Sequence, residues 1–343
     1  MSAERGRALV SRLLPDHVKD RAGWSTDIFA AVAVLDIAPT ADNLCAIVAV
    51  TDQESGFHVD PVVPGLAGIA AKEIERQRAG AGIPKLVLEG ALALTSSDGT
   101  SYADRLAKVR TERELSDLFE DFVGRVPLGK AFLAERNPVR TGGPMQVAIA
   151  FAQAHAEGRG YPYPIAGSIR DEVFTRRGGM YFGIAHLLDY PASYERMRYR
   201  FADFNAGHYA SRNAAFQQAV TQVSGVPLVL DGDLLRYDGS RPLEAPSGTE
   251  LAVRSLSRRI DLSARDIRRD LELGNRASFD KSPLYGRVFA LADAASGSQA
   301  PRAVVPKIEL KSPKITRSLT TEWFASRVDA RFQQCLRRAQ AAA

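Results

Sequence analysis

Residues 43–57 could hold an acid that donates a proton to a leaving group. Apolar residues cover every helical face over 44–50, and Glu54 follows one turn later. Thr40 is a suitable N-cap, and Gly56 stands where a C′ glycine ends a helix. Burial and the negative end of the helix dipole both disfavour an ionised carboxylate. The pattern predicts an acid that stays protonated near neutral pH, with a solvated glutamate as the alternative.

The composition is that of an ordinary globular protein. Its 343 residues are 45% hydrophobic and 25% charged, enough to bury a large core. No apolar run approaches the roughly 18 residues of a membrane span. The net charge of +5 favours a solvated surface over a nucleic-acid partner. Neither the five histidines nor the two cysteines have metal-binding spacing, so we expect no metal site and no cofactor.

The hydrophobic periodicity predicts a mainly α-helical chain. We divide it into an N-terminal helical segment over 1–39, a core over 40–225 with a large helical insertion at about 60–140, and a C-terminal extension over 226–343 packed on the core. The run 226–230 is β-like, and a last helix is expected at about 320–340. Cys45 and Cys335 could form a disulfide in an exported protein, but the sequence leaves their pairing open.

Three motifs follow one another in a fixed order. They are Gln53-Glu54-Ser55-Gly56-Phe57, Gly142-Gly143-Pro144-Met145-Gln146-Val147 and Phe201-Ala202-Asp203-Phe204-Asn205-Ala206-Gly207, the last preceded by a helix over 179–188. Together they resemble the lytic transglycosylases of the goose-lysozyme-like superfamily. The resemblance implies a lysozyme-like helical domain over about 40–220, with the spacing from Glu54 to Gln146 longer than is typical.

The resemblance also implies a role for each matching residue. Glu54 matches the catalytic acid, and Ser55 matches a serine that helps to hold the site. Met145 and Gln146 match a loop that contacts the sugar and its N-acetyl group. Of the two further positions that bind substrate in the family, one matches the family residue and the other does not. Phe204 stands where the family has a tyrosine, which removes a hydroxyl, whereas Asn205 matches the following asparagine.

The implied reaction cleaves the β-1,4 bond between N-acetylmuramic acid and N-acetylglucosamine. A second acid is hard to identify, because Asp52 faces another side of the helix and Asp60 beside a proline is typical of a turn. One acid suffices if the substrate's N-acetyl group assists and Glu54 acts first as acid and then as base, giving 1,6-anhydro ends. Gln146 and Asn205 would position the acetamido group.

The full pattern resembles most closely the YaiW-type bacterial envelope lipoproteins, a domain of unknown function. Membership implies a periplasmic or outer-membrane location, a lipid anchor on a cysteine outside this sequence, and peptidoglycan strands as partner. The alternative function is a non-catalytic glycan-binding or scaffold lipoprotein that assists peptide uptake. A hydrolytic lysozyme would need a positioned water and a general base, and the sequence does not identify that base.

Overall fold

The computed structural model of the protein describes residues 2–125, 137–192, 194–239, 241–310 and 318–341. These residues are mainly helical, with a few strands of two residues each, so the predicted fold class is confirmed at that level. The more specific expectation of a lysozyme-like domain stays a prediction. Part of the predicted insertion, residues 126–136, lies outside the described residues.

The first compact unit comprises Met1–Pro39 and Val50–Ile184. Its elements are α1 (Ala3–Leu13), α2 (Arg21–Val34), the last turn of α3 (Ala41–Glu54), α4 (Leu66–Gly80), α5 (Lys85–Leu92), α6 (Tyr102–Lys108), α7 (Glu112–Arg125), β1 (Thr141–Gly142), β2 (Val147–Ala148), α8 (Ile149–Arg159), α9 (Ile169–Val173) and most of α10 (Arg176–Leu188).

The second unit comprises Thr40–Ala49, Ala185–Lys311 and Arg317–Ala343. Besides the beginning of α3 and the end of α10, its elements are α11 (Met197–Ala206), α12 (Ala210–Ser224), β3 (Tyr237–Asp238), β4 (Arg241–Pro242), α13 (Gly248–Ser255), α14 (Ser257–Ile260), α15 (Ala264–Leu271), a 3₁₀ turn (Ala277–Lys281), α16 (Pro283–Ser296), β5 (Glu309–Leu310), β6 (Leu319–Thr320) and α17 (Thr321–Ala341).

Both units draw residues from more than one of the predicted segments, and the three-part division of the sequence stays a prediction. Each strand pair is antiparallel, β1 with β2, β3 with β4 and β5 with β6. The expected strand at 226–230 was wrong, because that run has no strand partner among the described residues. The last helix, Thr321–Ala341, confirms the expectation for about 320–340.

The central helix α3 is buried as the sequence predicted. Every residue from Leu44 to Val50 is at most 1% exposed, because apolar side chains on all faces can be removed from water only inside a core. Cys45 on this helix forms a disulfide with Cys335 of α17, 290 residues later in the chain. That disulfide lies within the second unit and resolves the pairing that the sequence left open.

The core of the second unit is formed where α12 and α16 pack together. Phe216 of α12 lies among Phe279, Tyr285 and Phe289, with ring centroids 5.1 to 6.3 Å apart. These aromatic side chains are at most 9% exposed. The arrangement gives the C-terminal extension a substantial hydrophobic core, which it shares with α12. Among the described residues, no helix combines the length and the apolar character that crossing a membrane requires.

Candidate functional site

Helix α3 begins and ends where its capping residues predict. The Oγ1 of Thr40 accepts a hydrogen bond from the backbone N–H of Asn43 at 3.2 Å, which satisfies a donor at the helix start. At the other end, Gly56 has a φ of +56°, and its N–H donates to the carbonyl of Asp52 at 3.2 Å. The chain leaves the helix there, so Glu54 occupies the last helical position.

The carboxyl of Glu54 is partly withdrawn from water, and no charged group among the described residues compensates for that desolvation. The residue is partly buried, and desolvation raises the pKa of this carboxyl from 4.5 to about 8. Among the described residues, the carboxyl has no ion pair and no hydrogen-bond partner that would favour its ionised form. Its position at the negative end of the helix acts in the same direction. Glu54 is therefore mostly protonated at neutral pH.

The side chains beside Glu54 are engaged elsewhere. The hydroxyl of Ser55 donates to the carbonyl of Thr51 at 3.2 Å, and the carbonyl of Ser55 lies 2.8 Å from Nδ1 of His58. The carboxylate of Asp52 lies 3.1 Å from Nε2 of His17. Ser55 thus completes the helix end, and its role in holding a substrate site stays a prediction.

Helix α10 holds the last turn of α3 within the first unit. Thr51 is fully buried, and its Oγ1 lies 3.9 Å from the Sδ of Met180 on α10. Since residues three apart share a helix face, Glu54 lies on the side of α3 that carries this contact. The following residue, Phe57, packs edge-on against Trp24 of α2, with ring centroids 5.1 Å apart. Contacts on both sides of Glu54 therefore fix its backbone.

The predicted sugar-contacting loop is a tight hairpin. Thr141 pairs with Ala148, and Gly142 pairs with Val147. At the turn, Gly143 has a φ of +73°, and a Cβ there would lie 2.1 Å from the carbonyl oxygen of Val173. Only glycine fits this position, so the first half of the loop motif has a clear structural reason.

Met145 packs into the interior, whereas Gln146 is tied to its own loop. Met145 is fully buried, and a Cβ on Gly183 of α10 would lie 2.5 Å from its Cβ. The amide of Gln146 donates to the carbonyl of Gly143 at 3.2 Å and accepts from the Oγ1 of Thr141 at 3.3 Å. Its contact with an acetamido group stays a prediction, and such a contact would have to replace or share these bonds.

Helix α10 connects the first two motifs. Met180 contacts the turn that precedes Glu54, and Gly183 receives Met145. These two residues are three positions apart and share one face of the helix. The structure therefore anchors the acid and the loop on one element of the first unit, although they are 91 residues apart in sequence.

The third motif belongs to the second unit. Phe204 is 9% exposed, and its carbonyl accepts from Nε2 of His186 at 3.2 Å. Asn205 is exposed, and its Oδ1 accepts from the Oγ1 of Thr321 at 3.0 Å. The predicted substrate contacts of Phe204 and Asn205 stay predictions.

Residue types alone did not single out Asp203, a fully buried acid. Its carboxylate accepts hydrogen bonds from the hydroxyls of Tyr194 at 2.6 Å and Tyr190 at 3.1 Å. It also accepts from the backbone N–H groups of Tyr209 at 3.0 Å and Ser211 at 2.7 Å. Asp203 thereby holds the turn between α11 and α12. An acid between Phe201 and Phe204 was a local signal of this burial.

Two polar residues near the start of α12, Arg212 and Asn213, anchor this helix. Arg212 and Asn213 are buried and donate to backbone carbonyls, including that of Gly274. Among the described residues, no group of three or more potential ligands could hold a metal ion.

Comparison with known families matches residues 17–338 to DUF1615, described as a protein of unknown function. The chain is 50% identical over 330 residues to the uncharacterized protein YaiW of Escherichia coli (strain K12), an overlap of 96% of this chain and 89% of that protein. No solved structure matches the chain. The predicted similarity to YaiW is confirmed, and the resemblance to lytic transglycosylases stays a prediction.

Proposed function

The chain belongs to the DUF1615 family, and from its own residues we propose that it is a peptidoglycan lytic transglycosylase. Glu54 is the catalytic residue of this proposal. The observation that carries it is an acid at the end of a buried helix, whose pKa desolvation raises to about 8. A carboxyl that is protonated at neutral pH and has no ion-pair partner is ready to donate its proton.

The proposed reaction uses Glu54 twice. Its carboxyl first protonates the glycosidic oxygen, so that the bond from this oxygen to the anomeric carbon of N-acetylmuramic acid breaks. The carboxylate then removes the proton from the C6 hydroxyl of the same sugar. The C6 oxygen bonds to the anomeric carbon, and a 1,6-anhydro end forms without consuming water. Glu54 regains its proton, so the cycle needs no cofactor.

The loop Thr141–Ala148 supports this proposal through its rigidity. Gly143 and Met145 lock it against its neighbours, as positioning a polymer beside an acid requires. In the proposal, Gln146 exchanges its bond to Thr141 for one to the acetamido group. The exchange costs little free energy, because one hydrogen bond replaces another.

The disulfide between Cys45 and Cys335 supports the proposed location in the cell envelope. Disulfides persist in oxidising compartments, including the bacterial periplasm, and are rare in the cytosol. Peptidoglycan lies in that compartment. Attachment to the outer membrane through a lipid remains part of the proposal.

A second function, glycan binding without cleavage, is favoured by one observation. The amide of Gln146 already makes two hydrogen bonds within its loop, so its polar atoms are engaged without substrate. A protein that had lost catalytic activity could keep these hydrogen bonds within the loop and still bind glycan strands as an envelope scaffold.

Digestion of purified peptidoglycan sacculi separates these functions. The wild type should release muropeptides with 1,6-anhydro ends, detected by mass spectrometry. Glu54→Gln should lower this release about 10²- to 10⁴-fold, the usual contribution of a general acid. Glu157→Gln is the matched control, because Glu157 is an exposed glutamate on α8 and should leave the products unchanged.

Other products would contradict the proposal. Reducing ends in place of anhydro ends would indicate a hydrolase. Sacculi that bind the wild type but release nothing would favour the binding function. Equal anhydro release by Glu54→Gln would remove Glu54 from the mechanism.

A further inference from the structure

All the described residues that line a cavity of about 630 Å³ belong to the second unit. The proposed catalytic acid, Glu54, belongs to the first unit. Its lining combines residues of the segment 191–199, the start of α12 and the C-terminal extension. The size is within the range of pockets that enclose a small ligand. Nothing in the cleavage chemistry proposed for Glu54 uses this cavity.

One residue of the cavity wall, Arg212, is held in place by contacts within the protein. Arg212 is 4% exposed and donates to the carbonyls of Gly274 at 2.6 Å and Arg276 at 3.0 Å. Its guanidinium lies 4.3 Å from the ring centroid of Tyr209. Because these contacts fix the arginine, the neighbouring aromatic ring has a defined position as well.

Tyr209 itself adopts a backbone conformation that is costly for a side chain of its size. Its φ is +66°, in the left-handed region that bulky residues rarely occupy. The bond from its N–H to the buried carboxylate of Asp203 holds it there, and the same carboxylate fixes Tyr194. Such strained positions occur preferentially at ligand sites, and Tyr194 and Tyr209 both line this cavity.

Several polar groups on the cavity wall are unused. Among the residues that the structure describes, the hydroxyls of Tyr209 and Tyr285 have no hydrogen-bond partner. The carboxylate of Asp280 and the ammonium of Lys281 also form no ion pair with any described residue. The cavity therefore offers hydrogen-bond donors and acceptors side by side, next to aromatic surface.

The charges on the described part of the lining balance in number. It contains Arg212, Lys281, Glu195 and Asp280, and a fifth charged residue, Arg302, is already paired with Asp293 at 2.7 Å. A strongly anionic or cationic ligand would gain little from such a site.

The described part of the lining has little of the branched apolar surface that a large aliphatic side chain would bind. Among the described residues it contains four tyrosines but no leucine, isoleucine, valine, methionine or phenylalanine. Sugar rings, by contrast, present C–H faces that pack on tyrosine rings and hydroxyl edges that both donate and accept hydrogen bonds.

We propose that this cavity is a second ligand site, which binds an uncharged oligosaccharide of two or three sugar rings. The rings of Tyr194 and Tyr199, which are partly exposed, stack on the sugar faces, and Asp280 and the hydroxyl of Tyr285 bind the sugar hydroxyls. The site acts in binding alone and does not depend on cleavage by Glu54. A protein with both sites would hold a glycan independently of the reaction.

The test measures binding to the full chain carrying Glu54→Gln, so that turnover cannot interfere. The probes are the trisaccharide of N-acetylglucosamine and maltotriose, with the zwitterionic peptide trialanine for comparison. Saturation-transfer NMR and calorimetry should give a dissociation constant on the order of 1 mM for a trisaccharide. Asp280→Asn and Tyr285→Phe should each weaken it about three- to tenfold, the effect of one lost hydrogen bond.

The chain offers matched controls outside the cavity. Asp238→Asn and Tyr237→Phe make the same chemical changes on β3, at exposed residues of the same unit, and should leave the dissociation constant unchanged. Asp280 is exposed, so its variant should fold normally.

Three results would overturn the proposal. The first is that neither trisaccharide binds at about 10 mM. The second is that a trisaccharide binds equally well to both cavity variants, and the third is that the sugars do not bind while trialanine does, in a way that depends on Asp280 and Tyr285. The presence or absence of anhydro products from sacculi bears only on Glu54, so the two proposals fail separately.

Discussion

Two acids that are withdrawn from water to different degrees, one in each unit, show how surroundings decide what a carboxyl can do. Asp203 in the second unit is fully buried and accepts hydrogen bonds from two tyrosine hydroxyls and two backbone N–H groups. Glu54 in the first unit is less buried, but among the described residues its carboxyl has no hydrogen-bond or ion-pair partner. Burial raises the pKa of both groups, and only at Asp203 do surrounding donors oppose that increase.

The difference separates a structural acid from one that is available for chemistry. At Asp203 every donor has a structural purpose, since the bonds hold Tyr194 and the start of α12 in place. At Glu54 the helix end leaves a protonated carboxyl without a structural task. An acid whose ionised form is unfavourable in the folded protein, and whose side chain makes no structural contact, is a candidate for function.

The largest expected difference between the two acids is in stability. Asp203→Asn should lower the free energy of unfolding by about 2–4 kcal/mol, because an amide N–H₂ would face donors that lose their acceptor. Glu54→Gln should change it by less than about 1 kcal/mol at pH 5, where Glu54 is already neutral. Urea unfolding of both variants measures this. A larger loss for Glu54→Gln would reverse the assignment of the two roles.

The second difference concerns pH. Folded Glu54 has a pKa of about 8 against 4.5 as the ordinary value, so between these values the folded chain binds more protons than the unfolded chain. The contribution of Glu54 to stability is therefore fully present below pH 4.5 and is lost as pH rises through 8. Relative to Glu54→Gln, the wild type should lose about 2 kcal/mol between pH 5 and pH 8, after discounting for partial exposure.

Thermal unfolding of both proteins across this pH range gives the difference directly. Titrations of other groups, such as the partly buried His186, whose pKa is lowered to about 4 by desolvation, cancel between wild type and variant. Parallel stability curves for the two proteins would contradict a raised pKa at Glu54.

A smaller effect tests how α10 holds the loop Thr141–Ala148. Gly183→Ala would place a methyl group 2.5 Å from the Cβ of Met145, and we expect a loss of about 1 kcal/mol, net of the better helix propensity of alanine. Gly90→Ala on α5 is the control, since nothing lies within 4 Å there, and it should be neutral or stabilising. Calorimetry measures the melting temperatures of both variants. Equal melting temperatures would mean that the loop shifts to accommodate the methyl group without loss of stability, which would contradict this expectation.

The features that the sequence predicted best are local ones. The apolar run of α3, its cap Thr40 and its terminating glycine Gly56 all act within a few residues, so their types suffice to place the helix and Glu54 at its end. The last helix was predictable for the same reason, because its apolar stripe repeats at helical spacing.

The features that the sequence could not predict depend on distant partners. The pairing of Cys45 with Cys335 spans 290 residues, and no local pattern records it. The run 226–230 has strand composition but no neighbouring strand among the described residues, which a strand requires. The hydrogen bonds that occupy Gln146 and Asp203 likewise come from the packed structure, and residue types alone do not reveal them.

The central claim is that Glu54 keeps its proton at neutral pH. The most direct measurement is a ¹³C NMR titration of the full chain labelled at glutamate side-chain carboxyls, with Glu54→Gln to assign the resonance. We expect one carboxyl resonance that titrates with a pKa of about 8 and is missing from the variant. A Glu54 resonance that titrates near the ordinary value of 4.5 would contradict it.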